Sequence, residues 1–517
     1  MVPLTIVVSI YLILCYCLDY GLIDDAYISL RYARNLAEGK GLVFNPGERV
    51  EGYTNFLWTL LLTLGFFLKL DGVGLSIGLG IIGGCILLIL VFFMTRHHLA
   101  PNTTIYRSIT APLCVVIQLP FLCYSLSGLE TTFFTLLLMG SIYFVFMGMK
   151  KASWFNYASL TLSIASLTRP EANIIFFFNL IFLFWYRRKN KQHISLFQLI
   201  SYAAIYICIV GSFFLWRYSY YGFWLPNTYY AKIGGGINMS IIKNGIGYVW
   251  RFSLMTYLIG MLPLVLLISS FRKEVKFIYF ISFTCTYLLA VIYEGGDHLA
   301  MFRFCIPVIP VVAILYQELW VYVIEDLLLK RYPSFSRFQG VSLFMVFVFI
   351  TGLSSSLLIS RAPSRHGLTE YERSKLEVKL TKQWADFGRW LKKNTKGDEK
   401  ISLITAGAIP FYSELYAIDM VGLTDTHIAH MSKELGKGYA GHEKFDNEYV
   451  LSQRPRFILA NHRVKFERYL SEKTYNKIAY FSVHRELVRM PALHRDYRYR
   501  CVKVGSNQFY SFYQLHS

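Results

Sequence analysis

Charge is scarce in this sequence. Of its 517 residues only 16% are Asp, Glu, Lys or Arg, whereas 55% are hydrophobic and 17% aromatic. A soluble domain does not have this composition, and apolar runs of roughly 17–22 residues recur, each long enough to cross a bilayer. Acidic residues are the scarcer sign: 32 Asp and Glu against 52 Lys and Arg leave a formal net charge of +20. No RNP motif, zinc-finger spacing or helix-turn-helix pattern accompanies that excess, which argues against nucleic acid. Anionic lipid head groups, lipid-linked phosphates or acidic glycans suit it better. Eight of the nine cysteines lie in or beside apolar segments, and Cys501 alone falls in the polar C-terminal part, where it has no partner for an internal bridge. No CxxC pair or His/Cys cluster suggests zinc. The run 2–18 lacks the basic n-region and small-residue cleavage site of a signal peptide and reads as a retained first helix.

The composition is divided. Residues 1–360 are hydrophobic with short polar breaks; 361–517 read as an ordinary soluble domain and carry about half of the net charge. Candidate spans are 2–18, 73–94, 107–125, 131–148, 153–167, 171–186, 196–216, 253–270, 275–293, 302–324 and 341–360, with 54–69 ambiguous. The basic clusters Arg96-His97-His98, Lys150-Lys151, Arg187-Arg188-Lys189, Arg272-Lys273 and Lys330-Arg331 alternate as cytoplasmic loops if 73–94 runs from outside to inside. Span 2–18 already reaches the outside, so 54–69 is expected to lie along, or dip into, the outer interface. Eleven crossings follow, with the C-terminal domain extracytoplasmic.

Within so little charge, Asp24-Asp25 stands out, directly after the first span. Ionised groups at membrane depth are costly and mark function or a water-filled cavity; the alternative is that one of the pair caps an interfacial helix. On the topology above, every non-basic polar cluster falls on the same outer face. These clusters are Asp24-Asp25, 127–131 with Glu130, 168–171 with Arg169 and Glu171, 226–232 with Asn227, Tyr229 and Lys232, and 294–298 with Asp297 and His298. Arg169 and Glu171 are open to a plain turn ion pair, and 295–297 to a plain tight turn. Five clusters on one face nevertheless suggest one shared site.

The run DDAYISLRYARNLAEGKGLVFNPGERVEGYTNFLW, residues 24–58, resembles the first outer loop of the bacterial terminal β-(1→2) arabinofuranosyltransferase family, within the GT-C class of membrane glycosyltransferases. SGLETT at 127–132, LTRPEA at 167–172, PNTYYAK at 226–232, GGDHLAMFRF at 295–304 and AGAIPFYSELYAIDMVGLTDTHIAH at 406–430 fit the same family. One departure is Ala172, where RPEG is more usual. The resemblance implies a GT-C transmembrane catalytic domain over 1–360, with 19–72 as its first extracytoplasmic loop, in a bacterial cytoplasmic membrane. It implies transfer of a sugar, such as arabinose, from a polyprenyl-phosphate donor to a cell-envelope glycan or glycolipid. The first-loop acid takes the base role in that class, which maps onto Asp24, with Asp25 as partner or alternative. Arg169 and Lys232 are the candidates for the leaving phosphate. Glu171 would hold Arg169, and Glu130 lies in the same set. Asn227, Tyr229 and Asp297 would meet sugar hydroxyls, flanked by His298 and Arg303. Polyprenyl-monophosphate donors do not generally require a metal, so no metal site is expected, although two adjacent carboxylates suit Mg²⁺ or Mn²⁺.

Segment 24–38 reads as an amphipathic helix and Asn45-Pro46-Gly47 as a turn. In the α/β part a helix is expected over 371–394 and strands at 401–405, 415–420 and 456–459, followed by a basic, aromatic tail. Asp419, Asp425, His427 and His430 read as structural residues rather than metal ligands. Trp and Tyr among Arg and Lys point to a module that binds the acceptor glycan. The rival reading, a transporter or flippase of a lipid-linked glycan, predicts internal repeats and midplane charges; neither is seen.

Overall fold

The computed structural model describes residues 2–96, 105–189, 194–234, 238–256, 275–322, 337–364, 367–436, 438 and 441–516. Most of the expected span 253–270 and the basic clusters at 97–98, 272–273 and 330–331 lie outside these residues. The chain forms two discontinuous compact units. One, here the helical unit, comprises 1–21, 76–214 and 242–374. The other, the mixed unit, comprises 22–75, 215–241 and 375–517. Where the sequence suggested one cut near 360, the first loop and the 215–241 segment thus cluster with the C-terminal α/β part.

Four described helices are long and apolar enough to cross a membrane: Gly72–Met94, Thr131–Gly148, Leu196–Tyr221 and Val275–Tyr293. The expected single span 107–125 is instead two helices, Ile105–Val116 and Leu119–Leu126, the apolar parts of which meet at a 67° bend. Pro120 at the start of the second helix biases the preceding residue away from helical backbone, and Pro112 sits inside the first. A break in an apolar environment leaves backbone groups that must find partners. Ser356 of helix Arg337–Arg361 meets both sides, accepting from Leu119 N–H (3.1 Å) and donating to the Ile117 carbonyl. Gly352, one turn earlier, faces Ile117, the side chain of which would have to shift to admit a Cβ. The expected span 302–324 also starts differently, as a 3₁₀ turn Arg303–Val308 leading into helix Ile309–Tyr322.

In the mixed unit, helix Asp24–Ala37 matches the expected 24–38, and run 54–69 forms only the helix Phe56–Phe67. Twelve residues rise about 18 Å, well short of the roughly 30 Å hydrocarbon core. The six-stranded sheet contains β1 (Lys400–Leu403), β2 (Tyr416–Asp419), β3 (Phe457–Ile458), β4 (Lys465–Phe466), β5 (Tyr497–Gly505) and β6 (Gln508–Leu515). The order is β2-β1-β3-β6-β4, with β5 also paired to β6; β1 runs parallel to β2 and β3, and β6 is antiparallel to its neighbours. Phe387 and Trp390 of helix Glu370–Asn394 pack on Tyr510 and Phe512 of β6. Tyr475, Val483, Leu487 and Leu493 from short helices join Ile418, Ile458, Tyr497 and Tyr513 in the core. The basic tail therefore contains the two longest strands, where YRYRCVKVG and QFYSFYQL flank a two-residue turn.

Arg31, 2% exposed, ties the first loop to this sheet. Its guanidinium donates to the carbonyls of Phe44 (2.7 Å), Leu415 (2.8 Å) and Pro410 and to Asn45 Oδ1 (3.0 Å), and it lies 4.5 Å from the Phe44 ring centroid. A planar fork of donors reaches several acceptors that a lysine ammonium does not. Arg31→Lys is expected to leave buried carbonyls unpaired, at about 1–3 kcal/mol for each acceptor lost. Thermal unfolding of the detergent-purified protein should therefore occur well below the wild-type midpoint; an unchanged midpoint would remove Arg31 from this role.

Candidate functional site

Asp24 opens its helix, but it does not cap it. Ile23 is the N-cap residue, with no side-chain cap bond. The Asp24 carboxylate reaches across to segment 406–408 instead, with Oδ1 accepting from Ala408 N–H (2.7 Å) and Oδ2 from Gly407 N–H (3.1 Å). Gly407 leaves no space for a Cβ, which would run into the Asp24 main-chain oxygen and carboxyl group. Burial pushes the Asp24 pKa up to about 7; the Ala408 and Gly407 amides oppose that rise and the neighbouring Asp25 adds to it. The folded chain thus holds this proton more tightly than an unfolded one. The group's contribution to stability is complete below the ordinary carboxylate range and is lost as pH rises through about 7. The Asp25 side chain, half-buried, makes no hydrogen bond among the described residues.

The same segment meets the other motifs of the mixed unit. Asn45 pairs with β2 as a strand residue would, its Oδ1 accepting from Ala417 N–H (3.0 Å) and its Nδ2 donating to the Ala417 carbonyl (2.9 Å). Asn227, expected to meet a sugar hydroxyl, is 5% exposed. Its Nδ2 donates to the carbonyls of Gly422 (2.8 Å), Leu423 (3.2 Å) and Asp425 (3.2 Å), and its N–H to the Glu51 carbonyl (2.9 Å). Glu51, buried against Arg217 (2.8 Å), is also pushed up to about 7 by burial. Tyr229 and Lys232 lie on the short helix Asn227–Lys232, both half-buried. Asp419 accepts from the N–H groups of Val421 (3.0 Å) and Thr424 (2.8 Å), and Asp425 caps helix Thr426–His430. His430 packs against Phe223 and Tyr230, with ring centroids 4.5 and 4.2 Å away.

The other six candidates belong to the helical unit and form two joined clusters. Arg169 ends helix Trp154–Thr168 in extended backbone just before Pro170. Its Nη1 donates to Glu130 (2.8 Å) and its Nε to Glu171 (2.9 Å), and all three side chains are less than a tenth exposed. Glu171 and Glu130 thus share the Arg169 guanidinium. Asp297 bonds Arg303 Nε through Oδ2 (2.5 Å) and lies 3.4 Å from His298 Nδ1 through Oδ1. Phe304 links the clusters, with the Arg169 and Arg303 guanidinium carbons 4.7 and 4.9 Å from its ring centroid.

The five polar clusters thus divide between the two units. Gly407 and Ala408 carried no titratable group to mark them; their signal was only that AGAIPF belongs to a recognisable motif. Among the described residues no group of three or more His, Cys, Asp or Glu side chains is placed to hold a metal ion.

Comparison with known proteins agrees with this architecture. A family model described as a domain of unknown function (DUF8728) matches residues 370–513. The terminal β-(1→2)-arabinofuranosyltransferase of Mycobacterium tuberculosis is 28% identical over 276 residues, covering 49% of this chain and 42% of that protein. The match therefore spans less than half of that relative's length. The crystal structure of ArnT from Cupriavidus metallidurans bound to undecaprenyl phosphate superposes with a TM-score of 0.59 at 11% identity, over 98% of this chain and 97% of that one. The Archaeoglobus fulgidus oligosaccharyltransferase complex with Zn and sulfate gives 0.52 at 13% identity, over 81% and 62%. The resemblance read from the motifs is therefore present twice over, as sequence likeness to a terminal arabinofuranosyltransferase and as the GT-C fold of membrane glycosyltransferases.

Proposed function

We propose that this chain is a membrane glycosyltransferase that moves a sugar, such as a pentofuranose, from a polyprenyl-phosphate donor to an envelope glycan or glycolipid on the extracytoplasmic face. The observation that carries the proposal is Asp24: a partly accessible carboxylate, fixed by two backbone amides, with its pKa near 7. A general base works best when its pKa lies close to the working pH. The acceptor hydroxyl gives its proton to Asp24 as its oxygen bonds to the anomeric carbon. The bond from that carbon to the phosphate oxygen breaks, and polyprenyl phosphate leaves with the electron pair. Lys232 and Arg169 are the candidate cations for the charge that builds on the phosphate. Arg169 already has two carboxylate partners that offset its charge, so it offers the phosphate hydrogen-bond donors held in one orientation, and Lys232 is the stronger candidate for the charge itself. Asn227 acts by holding the 422–425 loop, while Tyr229, Asp297, His298 and Arg303 remain candidates for sugar contacts. The soluble region is assigned the acceptor.

The known relatives support this reading in two ways. The Mycobacterium protein is named for arabinofuranosyl transfer, and ArnT was crystallised with undecaprenyl phosphate. Asp24→Asn is expected to lower sugar transfer from a purified polyprenyl-phosphate donor by at least about 10²-fold while donor binding survives. Asp25→Asn should be milder if Asp25 only orients Asp24, and equally severe, with EDTA sensitivity, if the two share a cation. Transfer by Asp24→Asn at the wild-type rate would remove Asp24 as the base.

A pH dependence follows from the same geometry. The base must be ionised, so activity should fall as pH drops through about 7. An ester in place of the Gly407–Ala408 amide removes the 2.7 Å donor and puts no ring against the carboxylate. Losing a bond to the charged form raises the pKa, and the acidic limb of the rate profile should move up by about one pH unit. An unmoved limb in the folded ester variant would separate the amides from the titration.

A further inference from the structure

Loop 295–304 of the helical unit passes through the left-handed backbone region four times. Gly295 (φ 83°) and Gly296 (φ 75°) adopt it freely, but Met301 (φ 64°) and Phe302 (φ 52°) carry side chains that crowd the following carbonyl. Both are buried, at 0% and 2% exposure. Two consecutive residues of this kind persist only where surrounding contacts over-determine them, and such strain gathers at functional sites. Three contacts do so here. The Tyr124 hydroxyl donates to the Ala300 carbonyl (2.6 Å), the Met301 N–H donates to Glu370 Oε2 (2.8 Å), and Arg373 donates to the His298 carbonyl. The strained pair leads directly into Arg303, which closes the loop onto Asp297 and sits against Phe304.

We propose that Glu370 and Arg373 are positioning residues, which act through the backbone of 298–301 to hold Asp297 and Arg303 where the sugar of the donor binds. The role assigned to Asp297 and Arg303 rests on the proposed function; the backbone restraint does not. Both positioning residues lie in the first turn of helix Glu370–Asn394, outside every motif of the sequence. Glu370 is 4% exposed, and the Met301 N–H needs an acceptor there, not a charge. This separates positioning from electrostatics. Glu370→Gln keeps a carbonyl acceptor, whereas Glu370→Leu keeps the approximate size and leaves a buried N–H unpaired.

Two measurements on the full-length protein in detergent test the proposal. Amide hydrogen exchange across 297–304 should accelerate at least about tenfold in Glu370→Leu and stay at the wild-type rate in Glu370→Gln. In the transfer assay, Glu370→Leu should raise the donor KM roughly tenfold, equivalent to about 1.4 kcal/mol, with kcat within about threefold of wild type, and Glu370→Gln should restore it. Arg373→Ala should speed exchange in the same segment, which keeps the test decisive if Glu370→Leu does not fold. Unchanged exchange in Glu370→Leu and Arg373→Ala, or a Glu370→Gln protein as impaired as Glu370→Leu, would overturn the proposal. A wild-type protein that transfers no sugar would instead defeat the functional reading, and the exchange comparison would still decide the restraint.

Discussion

Buried backbone groups must be paired, and in the mixed unit several of those in segment 406–430 are paired by side chains from far earlier in the chain. Arg31 takes the Pro410 and Leu415 carbonyls, Asp24 the Gly407 and Ala408 amides, and Asn45 both polar groups of Ala417. β2 is the last strand in its sheet order, so Asn45 covers an edge that would otherwise expose a ladder of unpaired groups. Asn227 does the same for the 422–425 turn. The first loop, the PNTYYAK segment and the C-terminal domain thus form one folding unit, and the burial that perturbs Asp24 is a product of their contact. A base with this titration cannot be made from the first loop alone.

Local signals were readable in the sequence. The amphipathic helix at 24–38, the helix near 371–394 and the approximate places of β1, β2 and β3 follow from periodicity and composition, and the structure has them within a few residues. What local patterns miss is of three kinds. The bend near 118 depends on a proline and on a serine of a helix more than two hundred residues later. The β5–β6 hairpin lies in a tail where aromatic and basic residues alternate, a pattern that composition alone does not resolve into strands. The clamp on Asp24 consists of two backbone N–H groups, which no residue type announces. The acidic pair itself was legible, but its partners were not.

The helical unit solves a related problem with ion pairs. Arg169 between Glu130 and Glu171, and Arg303 on Asp297, are buried charges whose partners are supplied within the same unit, at helix ends and in one strained loop. Breaking such a set by removing one member leaves an uncompensated buried charge, which is far more damaging than never having built it. Fixed guanidiniums and carboxylates of this kind suit a reaction in which charge moves from a hydroxyl to a departing phosphate, because they need little rearrangement as it develops.

The central claim is that Asp24 is the base for transfer from a lipid-phosphate sugar. The most direct measurement is the structure of Asp24→Asn bound to a polyprenyl-phosphate pentose, in which turnover is slowed and one of the two clamping amides keeps its acceptor. The account predicts the donor's anomeric carbon facing residue 24, with space for a single hydroxyl between them. A donor whose sugar lies beyond the reach of residue 24, with another carboxylate facing its anomeric carbon, would contradict it.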